Sequence, residues 1–127
     1  MEILNSNSLA RVMEHCRDYP GYQSVIMVNG SRRLREFMNS MKELLRNEEC
    51  DDISSISRAG IIKFKNGSYI RPIPSDSGAR GLCAHEVLYD EGIVDELAAK
   101  VKKVIYHCRE DKPVTLDEFL DGFKIIS

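Results

Sequence analysis

Gly60-Ile61-Ile62-Lys63-Phe64-Lys65, then Asn66-Gly67, then Ser68-Tyr69-Ile70-Arg71 restricts the fold of this chain more than any other stretch. Apolar and polar side chains alternate on both flanks of Asn66-Gly67, the period-2 pattern of half-buried strands. Asn-Gly accepts the two positive φ angles of a type I′ turn, so the stretch predicts a β-hairpin. Pro72 and Pro74 are expected to end its second strand, because a proline has no N–H to give to a ladder.

The segments on either side set what the hairpin joins. Leu9, Val12, Met13 and Cys16 share one face of a helix predicted over residues 6–18, with Ser6 or Ser8 as its cap and Tyr19-Pro20-Gly21 as its stop. Residues 23–28 (QSVIMV) form a short apolar run that suits a strand covered on both faces. Leu34, Phe37, Met38, Met41 and Leu45 then line a helix over residues 31–46, and the polar, acidic residues 47–57 read as a loop. Residues 75–81 look flexible, 86–89 form another short buried strand, and 93–105 a helix with Val94, Leu97, Ala98, Val101, Val104 and Ile105 inward. Thr115 and Glu118 have capping-box spacing before a brief helix that Gly122 stops, and residues 123–126 read as a last strand. Strands alternating with helices, plus one hairpin, predict a single α/β domain over 1–127. Its expected form is three layers, a mostly parallel sheet with helices on both faces.

A chain of 127 residues with 43% hydrophobic side chains has the means to bury a core of that kind. Its net charge of −2 supplies no overall basic field, so any contact with a polynucleotide must come from a local patch. The N-terminus lacks the basic start and apolar run of a signal peptide, and no run is long enough for a membrane helix. The four cysteines, Cys16, Cys50, Cys83 and Cys108, form no CxxC pair. Reduced thiols in a cytoplasmic protein are the expectation, with no metal site of their own.

Chemistry concentrates at Val87-Leu88-Tyr89-Asp90-Glu91, an apolar strand ending in two carboxylates. That is the form of a Walker B element, in which the strand delivers an aspartate to a magnesium ion and the glutamate orients the attacking water. Acids also favour a helix N-terminus on purely electrostatic grounds, which gives the pair a structural reading as well. Gly30-Ser31-Arg32-Arg33 forms a strand-to-helix turn whose amides and guanidinium groups suit an anion. Arg35, Lys42 and Arg46 extend the basic character along the same helix. Cys83 and His85 lack a third orienting group, so they make a poor nucleophilic pair.

Taken in order, Ile62-x-Phe64-x-Asn66-Gly67-Ser68-x-Ile70, Pro74-Ser75, Ala79-Arg80-Gly81 and His85-x-Val87-Leu88-Tyr89-Asp90-Glu91 resemble the middle of a phage terminase large subunit. Ser24 to Asn29 and the helix carrying Arg32, Arg33 and Phe37 resemble that family's second core strand and helix, so the likeness spans residues 5–105. It implies a reduced P-loop-NTPase-like core, with Asp90 as the magnesium aspartate, Glu91 as the catalytic glutamate and Arg80 as a loop arginine. The family's phosphate loop, of the form G-x-x-x-x-G-K-S/T, has no counterpart in this sequence.

The resemblance and the missing loop together imply a non-catalytic, ATPase-like protein of phage or prophage origin that binds another macromolecule. It would have no cofactor, and would work in the host cytoplasm as an inhibitor of a nucleic-acid-processing or defence complex, in the manner of an anti-CRISPR protein. A protein partner is expected; nucleic acid and self-association stay open. One alternative is a reduced, magnesium-dependent ATPase that takes MgATP once a partner chain supplies the phosphate loop, with Asp90 and Glu91 catalytic. Another is a nucleic-acid-binding module using Arg32, Arg33, Arg35, Lys42 and Arg46 along one helix, with Ser31 and Arg80 as further anion-binding residues.

Overall fold

Gln23–Met27 forms a strand, β1, whose last four residues are all buried, and the rest of the molecule is arranged around it. The structure is a computed structural model that describes residues 2–47, 53–58, 60–75, 79 and 81–107. In chain order its elements are α1 (Ser6–Asp18), β1, α2 (Gly30–Asn47), β2 (Ile53–Ile56), β3 (Ile62–Phe64), β4 (Tyr69–Ile73), β5 (Cys83–Ala84), β6 (Glu86–Tyr89), α3 (Asp95–Val104) and β7 (Tyr106–His107). Five strands make the main sheet in the order β2-β3-β4-β1-β6, and β5 pairs with β7 in a separate two-stranded sheet.

β1 is parallel to β4 on one side and to β6 on the other. β3 is antiparallel to β4, and β2 to β3. The sheet is therefore mixed, which corrects the expected mostly parallel one. The reason lies in the hairpin. Its second strand docks parallel to β1, so the first strand must run against both.

The alternation of side chains along β1 builds two cores. Ile26 and Val28 join Val12, Met13 and Cys16 of α1, Met41 of α2, and Ile62, Phe64, Ile70 and Leu88 of the sheet. Val25 and Met27 point the other way, to Ile73, Tyr89, Ile93 and the Ala98, Val101 and Ile105 of the α3 region. Helices thus cover both faces, α1 and α2 one side and α3 the other, as a strand buried on both faces requires.

Several local details differ from expectation. Asn5, not Ser6 or Ser8, caps α1: its side chain accepts from the Ser8 N–H at 2.9 Å, and Ser8 Oγ accepts from the Asn5 N–H at 2.8 Å. The hairpin turn is not type I′. The Gly67 N–H bonds to the Phe64 carbonyl and the Phe64 N–H to the Ser68 carbonyl, a turn one residue longer in which Gly67 alone takes positive φ, at +88°. Asn66 keeps an ordinary φ and spends its side chain elsewhere, donating from Nδ2 to the Cys16 carbonyl at 2.7 Å at the end of α1. Ser68 Oγ donates to the same carbonyl at 2.6 Å, so two residues fasten the hairpin tip to the first helix.

Pro72 does not end β4; it pairs with Ile26 inside the strand. Tyr69 and Ile73 direct their backbone bonds to the β1 side, at Tyr22 and Val28, so Ile70 and Pro72 direct theirs toward β3. The last β3 partner on that side is Ile62, opposite Ile70, and Pro72 lies beyond it. The missing N–H forfeits nothing. Part of the expected 47–57 loop is the edge strand β2, whose register shifts between Ile53 and Ser55. That bulge lets Ile53 and Ile56, three positions apart, pack on the same core.

At the other edge of the sheet, residues 2–4 pair with the last residue of β6. Ile3 bridges Tyr89, with the Leu4 N–H bonded to the Tyr89 carbonyl and the Tyr89 N–H to the Glu2 carbonyl. The Thr115–Glu118 capping box, the 123–126 strand, Arg80, Cys50 and Cys108 lie outside the described residues. No helix among the described residues is long and apolar enough to cross a membrane.

Candidate functional site

The parallel strands β1 and β6 end side by side, and the Asp90 N–H continues their pairing by donating to the Met27 carbonyl at 2.8 Å. The aspartate is thereby set at the carboxyl ends of the strands, where open α/β sheets gather ligands and where the chain here passes from one side of β1 to the other. Apolar contacts of Leu88 and Tyr89 fix the strand on opposite faces, so the carboxylate is held by a rigid support.

Its partner comes from α2. Arg33 donates from Nε to Asp90 Oδ2 and from Nη2 to Oδ1, both at 2.7 Å, a two-pronged guanidinium–carboxylate contact. Nη1 donates to Glu36 Oε2 at 2.7 Å. Asp90 is 2% exposed, whereas the Arg33 side chain is 49% exposed. The hydrogen bonds from Arg33 hold the Asp90 carboxyl below the usual aspartate range, against the opposing effect of burial. Reciprocally, the hydrogen bonds to Asp90 and then Glu36 raise the Arg33 pKa. The pair is ionised, oriented and closed at neutral pH.

That closure bears on chemistry. A magnesium ion bound by a carboxylate takes an oxygen at about 2.0–2.1 Å and keeps most of its water. Both Asp90 oxygens are committed to Arg33, so an ion would first have to expel the guanidinium. The arrangement does not fit a magnesium aspartate. Glu91 is exposed, and among the described residues no group of three or more His, Cys, Asp or Glu is placed to hold a metal. Of the residues singled out in the sequence, Arg33 and Asp90 come together. Ser31, Arg32 and Arg35 are exposed on α2, and of these Arg32 reaches the pair only through Glu36, at 3.5 Å. Beside the pair runs a cleft of about 470 Å³ with Leu4, Val28 and Phe37 as apolar lining and Arg33, Glu36, Ser40 and Asp90 among its polar groups.

A second cluster at the opposite ends of β1 and β6 gave no sequence signal. Glu86, the first residue of β6, accepts from Tyr22 Oη at 2.6 Å and pairs with Arg11 of α1, which also pairs with Glu2. Desolvation, and then the bond to Glu86, push the Tyr22 hydroxyl pKa up, so it remains a donor. His85 stacks on Tyr22 with ring centres 5.2 Å apart, and its Nδ1 accepts from the Gln23 N–H at 3.0 Å. These residues join α1, β1 and β6 across large sequence separations, and no local spacing announces them.

Desolvation lowers the His85 pKa, and the bond from Gln23 requires Nδ1 to be unprotonated. A base with a depressed folded-state pKa stabilises the fold fully above its unfolded pKa of about 6.5 and loses that contribution as pH falls through the folded value. The melting temperature should therefore drop on acidification from about pH 7 to 5. His85→Asn, which keeps an acceptor near the Nδ1 position, should flatten that drop in a pH series of thermal melts. The Asp90 contribution is lost in a separate, more acidic window, below about 3.9.

Set against protein-family models, curated proteins and solved structures, the chain matches none. The site is read from its own geometry.

Proposed function

We propose that this protein works by binding another macromolecule and does not turn over a nucleotide. One observation carries the reading. The carboxylate at the end of β6, where a nucleotide hydrolase needs a free metal ligand, is closed by Arg33. The sequence adds that no glycine-rich loop followed by Lys-Ser/Thr is present to hold phosphates. Phosphoryl transfer depends on groups that hold the phosphates and on a carboxylate open to a metal ion, and here the Asp90 carboxylate is paired with Arg33.

In this reading the fold is a reduced P-loop-NTPase-like core, of phage or prophage origin, acting in the host cytoplasm. Its rigid three-layer body carries a binding surface, and its target is a nucleic-acid-processing or defence complex, or the nucleic acid such a complex handles. The Arg33–Asp90 contact then serves to lock α2 against β6, fixing the helix that carries the exposed basic side chains.

Calorimetric titration of MgATP into the purified protein tests the claim. The expected result is no saturable heat up to about 1 mM, where binding would be worth only about 4 kcal/mol. Asp90→Asn should give the same flat trace. Binding that Asp90→Asn abolishes would restore the ATPase reading.

A further inference from the structure

We infer that the outer flank of α2 is a contact surface for the phosphate backbone of a nucleic acid, with Arg32, Arg35 and Lys42 as the contacting cations. The inference rests on the binding reading above and names the partner class.

The folded helix separates its charges. Met41 is buried, with Leu34 and Phe37 packed on the same core, which fixes the inward face. Arg33 leaves the basic set because it is spent on Asp90. At 100° per residue, Arg32, Arg35, Asn39 and Lys42 fall on one flank of the helix, while Glu36 and Glu43 fall between it and the Arg33 side. Arg32, Arg35, Asn39 and Lys42 are all exposed, and the Arg32 side chain is 92% exposed. Its one ion pair, to Glu36 at 3.5 Å, is long and in solvent, so it competes weakly with a phosphate.

Three cations with an amide between them lie along about 15 Å of helix, without an apolar side chain on that flank. A protein interface needs an apolar or aromatic core, and a membrane contact needs an inserted apolar face; this flank has neither. A nucleic acid presents an unbroken line of anions, and guanidinium groups match phosphate oxygens in pairs. With a net charge of −2 the contact must come from this local patch, and cations meeting phosphates make it salt-sensitive and suited to backbone positioning.

The test uses fluorescence polarisation with a labelled duplex of about 20 base pairs, titrated between about 25 and 200 mM salt. The chain is compared with Arg32→Gln/Arg35→Gln/Lys42→Gln and with a charge-matched control on α3, Lys100→Gln/Lys102→Gln/Lys103→Gln. Circular dichroism checks that each is folded. The α2 variant should lose at least about tenfold in affinity at the lowest salt, and its log–log salt slope should shrink by about 2–3. The α3 variant should bind like the parent. Equal losses in both variants, no parent binding at the lowest salt, or equal binding of the parent to polyglutamate would each overturn the inference. The nucleotide-binding reading is decided separately by calorimetry, so the two can fail independently.

Discussion

Arg33→Ala is expected to unfold at a distinctly lower urea concentration than the parent, and Arg33→Ala/Asp90→Asn to recover part of the loss. Asp90 is buried, and each of its oxygens accepts from one guanidinium at 2.7 Å, with a longer contact of 3.5 Å from the Asn29 N–H to Oδ2. Removing Arg33 takes the cation from a buried carboxylate, which costs more than the pair contributes as a whole, and water from the adjoining cleft offsets part of that cost. Asparagine in place of Asp90 removes the charge, which is why the double variant should exceed the single one. Arg33→Lys should fall between them, since a single ammonium cannot serve two oxygens in the same plane. A double-mutant cycle from urea melts measures the coupling directly. Additive losses would mean that the contact is incidental.

The second large effect falls on Gly60. An added methyl there would lie 2.9 Å from Pro72 Cγ and 3.0 Å from Met38 Cγ, on a backbone with φ of +86°. Gly60→Ala should destabilise by about 2–4 kcal/mol, of which about 1–2 is the left-handed backbone and the rest overpacking. Gly21→Ala supplies the comparison. Its φ is +74° and nothing lies within 4 Å, so only the backbone part applies. The difference between the two in denaturant melts isolates the crowding beside Pro72. Equal losses would place Gly60 in open space and contradict the packing of α2 over the β3–β4 end.

Much of the fold could be read from the sequence because its signals are local. The 3.6-residue stripe of α1 and the alternation around Asn66-Gly67 each depend on a few neighbouring residues, and both elements are present, with a different cap and a longer turn than expected. The β6 run was equally plain, since it is buried by sheet neighbours whatever their order. β2 was hidden by its bulge, which puts Ile53 and Ile56 on one side and breaks the period of 2. Sheet order escaped for another reason: no residue in the hairpin states which of its strands meets β1.

The candidate site divides in the same way. Asp90 stood out because an apolar strand ending in an acid is a short motif. Arg33 stood out as part of a basic helix start. That the two answer each other across 57 positions is a fact of packing, and it reverses what each suggested alone. An apparent metal ligand and an apparent anion binder are one closed pair. Glu86, Arg11 and Tyr22 show the opposite case, a three-element polar cluster with no signature at all.

The short run Glu2–Leu4 along the outside of β6 has a bearing on how copies of this molecule meet. It satisfies the Tyr89 N–H and carbonyl, which a terminal strand otherwise offers to any extended peptide nearby. A peptide tethered ahead of it will tug on that seam, and one able to displace it would find a ready-made template. The pairing of Tyr89 by three residues far from the basic helix therefore leaves less of this edge open to a second strand.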